Sequence, residues 1–487
     1  MASIPLLAWK VEEERGRRRL TALAREAWEE SKKLWEIVGP AVFLRLVMYS
    51  FNIVSQAFAG HIGDLELAAF SIANSVVTGL NFGFLYPLIN LNAWQLGMAS
   101  ALETLCGQAY GAKQYSMLGI YLQRSWIILL VSGVLLVPTY VFTAPLLEAL
   151  GQPAALAREA GMVSVYMLPV HFQYVVLLPL NKFLQSQRKN WVTAASAAVA
   201  FPVHIGVSWL LVSRLQFGVL GAALALSVSG WLVTVLQLAY VVGGGCPVTW
   251  SGFSPLAFVD LWGFVKLSVS SGVMVCLETW YYRVLILLTG HLKNSELAVN
   301  ALSICMSFQA WEMMIPVGFL AGTGVRVANE LGAGNGKAAK FATIVSMTTS
   351  FLIGLFFSVL ALAFHDKIAL VFSSSKAVID AVDNISVLLA VTILLNGVQP
   401  VLSGVAIGSG WQAAVAYVNI GCYYFIGIPI GVLLGWSLNL GVLGIWAGMI
   451  AGTAIQTLIL AHMIMRCDWN KEVLKASERV QRWGSPK

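Results

Sequence analysis

The chain alternates long apolar stretches with short polar ones, and the lengths of the apolar stretches decide what they are. A helix needs about 20 mostly apolar residues to cross a hydrocarbon core about 30 Å thick. Runs of that kind lie near residues 34–60, 66–101, 118–142, 160–183, 190–213 and 218–242, and again near 261–289, 297–325, 341–364, 381–404, 413–435 and 441–465. Between the two sets, residues 243–260 (GGGCPVTWSGFSPLAFVD) hold no Lys or Arg, and their Gly, Pro and Ser read as a linker. The pattern predicts an all-α polytopic membrane protein of twelve transmembrane helices. Its expected parts are a tail at 1–33, a first lobe at 34–242, the linker at 243–260, a second lobe at 261–465 and a tail at 466–487. An even number of spans puts both ends on one side.

The two sets of spans repeat each other. Leu34-Trp35-x-x-Val38 recurs as Leu261-Trp262-x-x-Val265, and Gly60-His61 with Glu66-Leu67-Ala68 recurs as Gly290-His291 with Glu296-Leu297-Ala298. Gly111-Ala112 matches Gly332-Ala333, and Gly218-Val219-Leu220-Gly221 matches Gly441-Val442-Leu443-Gly444. The matches keep their order at offsets between 221 and 230. Six spans per repeat give both copies the same orientation, so the lobes should be related by an axis along the membrane normal, as in many secondary transporters. The register slips once: Glu66 to Gly111 is 45 residues, whereas Glu296 to Gly332 is 36. The nine-residue excess falls at Tyr86–Gln95, where a proline, two asparagines and a glutamine interrupt an apolar run. As a single helix, 66–101 would be about 54 Å long, well over a bilayer core.

Composition agrees with a membrane protein. Hydrophobic residues make up 58% and charged residues 11% of the 487, with a mean hydropathy of +0.77. A soluble domain carries roughly 25% charged residues. The formal charge of +7 raises the question of a nucleic-acid partner. The tails and the loops on their side hold 20 of the 30 basic residues, so the charge reports orientation, with the tails in the cytosol. The six cysteines show no CxxC or metal-ligand spacing and are expected as free thiols. No apolar h-region follows the first basic residues, so the first span is expected to serve as the targeting signal.

An ionised carboxylate in hydrocarbon is expensive, so acids within spans tend to mark ion or proton paths. Placed on the spans, Glu278 and Glu312 stand out, at about 18 and 24 Å from the same membrane face. Both belong to the second repeat. Glu278 could instead pair with Arg283 or Arg45, and Glu312 with neighbouring helix groups. Asn52, Gln56, Asn74, Asn81, Gln309, Asn396 and Gln399 could face a cavity, or could equally bond across helices to satisfy themselves. Tyr281, Tyr282 and Trp311 could offer ring faces to organic cations, or simply fill the core. Gly332–Ala338 is not a Walker A loop: three residues separate Gly332 and Gly336, and Ala338 has no hydroxyl. No nucleophile–base pair or cofactor loop suggests an enzyme.

Four stretches carry a family resemblance. Ala57-Phe58-Ala59-Gly60-His61-Ile62-Gly63, Ser100–Ala112 (SALETLCGQAYGA), Val325–Asn335 (VRVANELGAGN) and Gln399–Gln412 (QPVLSGVAIGSGWQ) resemble the plant DETOXIFICATION branch of the multidrug and toxic compound extrusion (MATE) family. The resemblance covers essentially the whole chain. It implies twelve helices in two six-helix lobes and proton-coupled antiport of organic compounds such as xenobiotics or secondary metabolites, across the plasma or vacuolar membrane. It matches Glu278 to the family's proton-coupling acid in helix 7. A second acid that some plant members carry in helix 10 is absent, since the chain reads Leu395-Asn396-Gly397 there. That makes Glu312 the expected substitute. Tyr86–Gln95 departs from the family pattern, in which Gly-Phe-x runs straight into Leu-Gly-Met, and we expect a retained splice or gene-model segment. The transcript sequence decides it.

Taken together, the expected protein is a monomer in the bilayer, with protons and a small organic solute as partners. It needs no cofactor, metal or nucleic acid. Expected proton-coupling residues are Glu278 and Glu312. The expected cavity residues are Asn52, Gln56, Tyr281, Tyr282, Trp311, Asn396 and Gln399. An anion (halide) channel or uniporter is the alternative, because some plant relatives are proposed to pass halide.

Overall fold

A computed structural model describes residues 4–78, 91–149, 151–289, 295–365, 367, 370 and 375–484. The first lobe comprises α1 (Ile4–Gly60), α2 (Asp64–Thr78), α3 (Leu91–Gly111), α4 (Ser116–Val141), α5 (Thr143–Ala149), α6 (Ala154–Tyr166), α7 (Leu168–Ser186), α8 (Asn190–Arg214) and α9 (Gly218–Gly245). The second comprises α10 (Leu261–Thr289), α11 (Ser295–Glu312), α12 (Met314–Gly332), α13 (Gly336–Ala363), α14 (Lys376–Asn396), α15 (Gln399–Ser409), α16 (Gln412–Ser437) and α17 (Gly441–Met465), followed by α18 (Trp469–Gly484). Among the described residues, ten stretches are long and apolar enough to span a bilayer, and α6 with α7, bent by 43°, makes an eleventh. The remaining expected span, 66–101, is divided between α2 and α3, with 79–90 outside the described residues. Half of the Tyr86–Gln95 segment, residues 86–90, therefore lies outside them too; Leu91–Gln95 open α3.

Several spans are broken rather than straight, and proline explains where. In a helix each N–H bonds the carbonyl four residues back, and proline has no N–H to give. Pro316 and Pro400 cannot bond the carbonyls of Glu312 and Asn396, and these are the last residues of α11 and α14. Pro169, at the second position of α7, plays the corresponding part at the α6–α7 bend.

The repeat shows in the backbone. Gln216 and Gly218 have φ of 52° and 59°, and Asn439 and Gly441 have 55° and 57°, so the same left-handed turn starts α9 and α17. The amide of Phe217 donates to Leu211 O at 3.0 Å, as that of Leu440 does to Leu434 O at 3.1 Å. After α3 the chain turns at Lys113 (φ 60°), and after α12 at Gly334 (φ 83°). Two like-oriented copies of one helix set form pseudo-symmetric lobes.

The tails and the linker are more structured than their composition suggests. α1 runs unbroken from the tail into the membrane, through Pro40. The linker is pinned to α4: Gln123 donates to Gly252 O (2.9 Å) and accepts from the Ser254 amide (2.8 Å), while Arg124 donates to Leu256 O (3.1 Å). The final tail folds into α18, which buries Trp469, Ala476 and Val480. Those positions recur at helical spacing on one face.

Contacts between the lobes lie in the helix halves next to the tails. Thr104 donates to Ile407 O (2.6 Å), Gln108 to Gly408 O (3.0 Å) and Gln412 to Thr104 Oγ1 (2.8 Å). Arg326 of α12 binds Glu30 of α1 at 2.8 Å through Nε. Arg479 of α18 holds both lobes, donating to Gln108 Oε1 (3.1 Å) and Ser409 O (2.7 Å). Gly111 sits on Asn329 and Gly332 on Gln108 so closely that a side-chain carbon at either glycine would overlap the carbonyl oxygen opposite. The lobes are closed against each other on the tail face.

Candidate functional site

Between the lobes lie two adjoining chambers of about 370 and 270 Å³. Arg45, Leu96, Lys182, Val275 and Thr279 border both. The larger chamber is walled mainly by α1 and α7, with Tyr174, Asn181 and Gln185 as its other polar residues. The smaller lies against α3, α10, α12 and α15, where Ser100, Glu278, Tyr282 and Gln399 supply further polar atoms. The volumes are of the size that holds small organic molecules.

Glu278 is fixed by one neighbour. Gln399 donates from Nε2 to Glu278 Oε1 at 2.8 Å, and from the same atom to Ser403 Oγ at 3.1 Å. The break before α15 makes this geometry possible, because it places Gln399 at the first turn of a new helix pointing across at α10. Glu278 and Arg45 border the same chamber without forming an ion pair.

The other expected residues are placed as follows. Tyr282 lines the chamber beside Glu278. Tyr281 is fully buried behind it, stacked on Tyr423 with centroids 4.3 Å apart, and donates to Gly448 O (3.0 Å) and Met449 O (3.1 Å). Glu312 and Asn396 are buried at the ends of the proline-broken helices; neither lines the chambers, and the side-chain oxygens of Glu312 and both polar atoms of Asn396 lack partners among the described residues. Met313, next to Glu312, does face the smaller chamber. Gln309 is buried one turn earlier in α11, with Oε1 likewise unpartnered. Trp311 lies on the outer surface, 46% exposed, edge-on to Phe357. Asn52 donates back to Met48 O of its own helix (3.1 Å), and Gln56 is partly buried one turn further on, also away from the chambers. The side chains of Asn74, Asn81 and Arg283 lie outside the described residues.

Three charged residues of the site were not singled out by sequence reasoning. Arg45 appeared only as a possible partner of Glu278. Lys182 and Glu103 form a buried ion pair between α7 and α3. Glu103 escaped notice because the second span was drawn to end at 101, whereas α3 continues to Gly111. It is a further fully buried acid, and its Oε1 lies so near Gly324 of the opposite lobe that a side-chain carbon there would overlap it. Removing one partner of a buried pair leaves a stranded charge and costs about 3–5 kcal/mol. Lys182→Met should therefore markedly lower the thermal unfolding temperature in detergent, and Glu103→Gln added to it should recover most of the loss. A double variant no more stable than the single one would contradict this.

The sequence and the fold both have counterparts. The MatE family model matches residues 40–210 and 271–433. Protein DETOXIFICATION 27 of Arabidopsis thaliana is 60% identical over 457 residues, covering 94% of this chain and 92% of that protein. Protein DETOXIFICATION 26 of the same plant is 55% identical, covering 99% and 96%. The crystal structure of the eukaryotic MATE transporter AtDTX14 superposes with a TM-score of 0.86 at 34% identity, covering 93% of this chain and 99% of that one. The chain belongs to the MATE family of membrane transporters, in its plant DETOXIFICATION branch. It is a multi-pass integral membrane protein of the class that moves small organic substrates out across membranes.

Proposed function

We propose that this chain is a proton-coupled antiporter that exports organic compounds, xenobiotics or secondary metabolites, by alternating access between its two lobes. The observation that carries this reading is the setting of Glu278. It is an acid inside the membrane, at the wall of the inter-lobe chamber, held by a neutral amide and free of any ion pair with Arg45. An acid locked to a cation would have little reason to change protonation state; one held by an amide can trade its proton for a substrate contact. With the tails in the cytosol, the closed tail face corresponds to a state turned away from the cytosol. The membrane is the plasma or vacuolar membrane, and the working unit a single chain.

Glu312 serves as a second proton-carrying acid in this reading. Its buried, unpartnered carboxyl and the unpartnered amide of Asn396 sit at corresponding breaks in two helices of one lobe. A bistable helix break is where a change in protonation could alter lobe shape.

The test is uptake of an organic solute into proteoliposomes under an imposed pH gradient. Uptake should collapse when a protonophore removes the gradient, and Glu312→Gln should retain binding but lower the gradient-driven rate about tenfold, the effect of about 1.4 kcal/mol. Uptake indifferent to the protonophore would overturn the coupling, and an unchanged rate in Glu312→Gln would remove that residue from it.

A further inference from the structure

We infer that Arg479, on the C-terminal helix, is a positioning residue of the transport cycle, a latch that holds the lobes together on the tail face and sets how readily that face opens. The inference rests on the alternating-access part of the reading above, and on neither the proton nor the solute.

Helix α18 is mounted on the second lobe. Trp469, Val473, Ala476 and Val480 recur at helical spacing and give it one apolar face. Trp469 and Ala476 are buried in one cluster with Val327, Leu331, Ala339 and Leu402, all second-lobe residues. Glu472, also buried, accepts from Trp411 Nε1 at 2.9 Å and from Lys475 Nζ at 2.7 Å. The Trp469 backbone lies against Gly336 at the start of α13. A helix held in this way travels with the second lobe when the lobes part.

From that mount Arg479 reaches across to the first lobe. Its Nη2 donates to the carbonyl of Ser409, the last residue of α15, at 2.7 Å, and its Nη1 donates to Gln108 Oε1 of α3 at 3.1 Å. The last carbonyls of a helix have no donor within it, and a cation there also meets the negative end of the helix dipole. The chain then turns at Gly410, with φ of 79°, and the guanidinium lies in the space that a side chain at Gly410 would fill. Arg479 is thus fixed by the second lobe on one side and by Gln108 on the other. Gln108 in turn donates to Gly408 O at 3.0 Å, so its amide is clamped between the end of α15 and Arg479. Opening the tail face leaves the bond to Ser409 intact and breaks the bond to Gln108. A hydrogen bond from a charged donor is stronger than neutral ones such as that of Thr104 with Ile407 O, so it holds more of the closure than they do.

A latch and a brace have different consequences. A contact across the tail face lowers only the tail-closed state, so losing it moves the balance toward the tail-open state and leaves each lobe's own packing intact. A brace within one lobe would lower stability and leave that balance alone.

The experiment uses the purified full chain in a folded, cysteine-free background, with spin labels at the exposed Ser116 and Lys340, at the tail-side ends of α4 and α13. Pulsed electron paramagnetic resonance then gives the populations of short and long separations, with no solute or gradient present. The short separation should dominate with Arg479 in place. Arg479→Ala should raise the long-to-short ratio about tenfold, the scale of one charged hydrogen bond. Arg479→Lys, whose ammonium lacks the fork that serves both acceptors, should lie between them. Lys471→Ala, at an exposed position of the same helix, should change nothing. Arg479→Met, which keeps the apolar stem, replaces the alanine variant where that variant does not fold, and must show the same shift. Unchanged separations would overturn the inference, and so would a lower unfolding temperature with no lengthening, which would make Arg479 a brace. The two readings fail separately. Lengthening in a protein whose uptake ignores the pH gradient strikes only the proton coupling, whereas proton-driven uptake with unchanged separations strikes only the latch.

Discussion

Glu278→Gln should reduce uptake driven by a pH gradient to the level of protein-free liposomes while leaving the protein folded. The substitution keeps size and shape, and an amide oxygen at this position can still accept the Gln399 Nε2 bond that the carboxylate accepts at 2.8 Å. What disappears is the proton that can be taken up and released. The variant then has one state at this position where the wild type has two, and a pH gradient has nothing to act on. Solute exchange at equal pH on both sides needs no such change, so it should persist at a reduced rate. The two assays together separate loss of coupling from loss of folding. Full gradient-driven uptake in Glu278→Gln would remove this residue from the mechanism.

How far the site could be read beforehand depended on what a one-dimensional pattern can hold. Glu278 was legible because an acid in a long apolar run is rare and costly. Gln399 was legible as a polar residue in a motif, although its bond to Glu278 needed the helix break that turns α15 toward α10. Arg45 and Lys182 were visible as charges in spans, but which side of its helix a residue faces depends on the neighbours. Only the packed lobes show that Lys182 forms an ion pair with Glu103 and that the charge of the same Glu103 also acts on Arg45. Trp311 shows the same limit, since a tryptophan beside a buried acid turns outward in the structure. Helix α18 was missed for another reason: its overall polarity masked the regular spacing of Trp469, Ala476 and Val480. The proline breaks were within reach, because Pro316 and Pro400 each stand four residues after a helix end.

The repeated Gly-Ala pairs lead to the other large effect. Gly332→Leu should stop transport by denying the protein its closed tail face. Gly111 and Gly332 are equivalent positions in the two repeats, and each lies against the backbone of the other lobe, at Asn329 and Gln108 respectively. Glycine permits that approach because it has no Cβ. A leucine at 332 would overlap the Gln108 carbonyl, a backbone atom that cannot swing aside as the end of a flexible side chain could. Overpacking of this kind typically costs about 1–3 kcal/mol. Here the cost falls on one conformation only, because the clash is relieved once the lobes part on this side. A penalty of that size shifts the population toward the tail-open state by about 5- to 150-fold. A cysteine replacing Thr279, which lines both chambers, reports the shift in a background freed of native cysteines and shown to transport. A membrane-impermeant maleimide applied from the tail side should label that cysteine slowly with Gly332 in place and much faster in Gly332→Leu. Gly332→Ala should lie between them, and Gly111→Leu should behave as Gly332→Leu does, since the contact is made twice. Wild-type uptake by Gly332→Leu would show that the cycle does not pass through this closure.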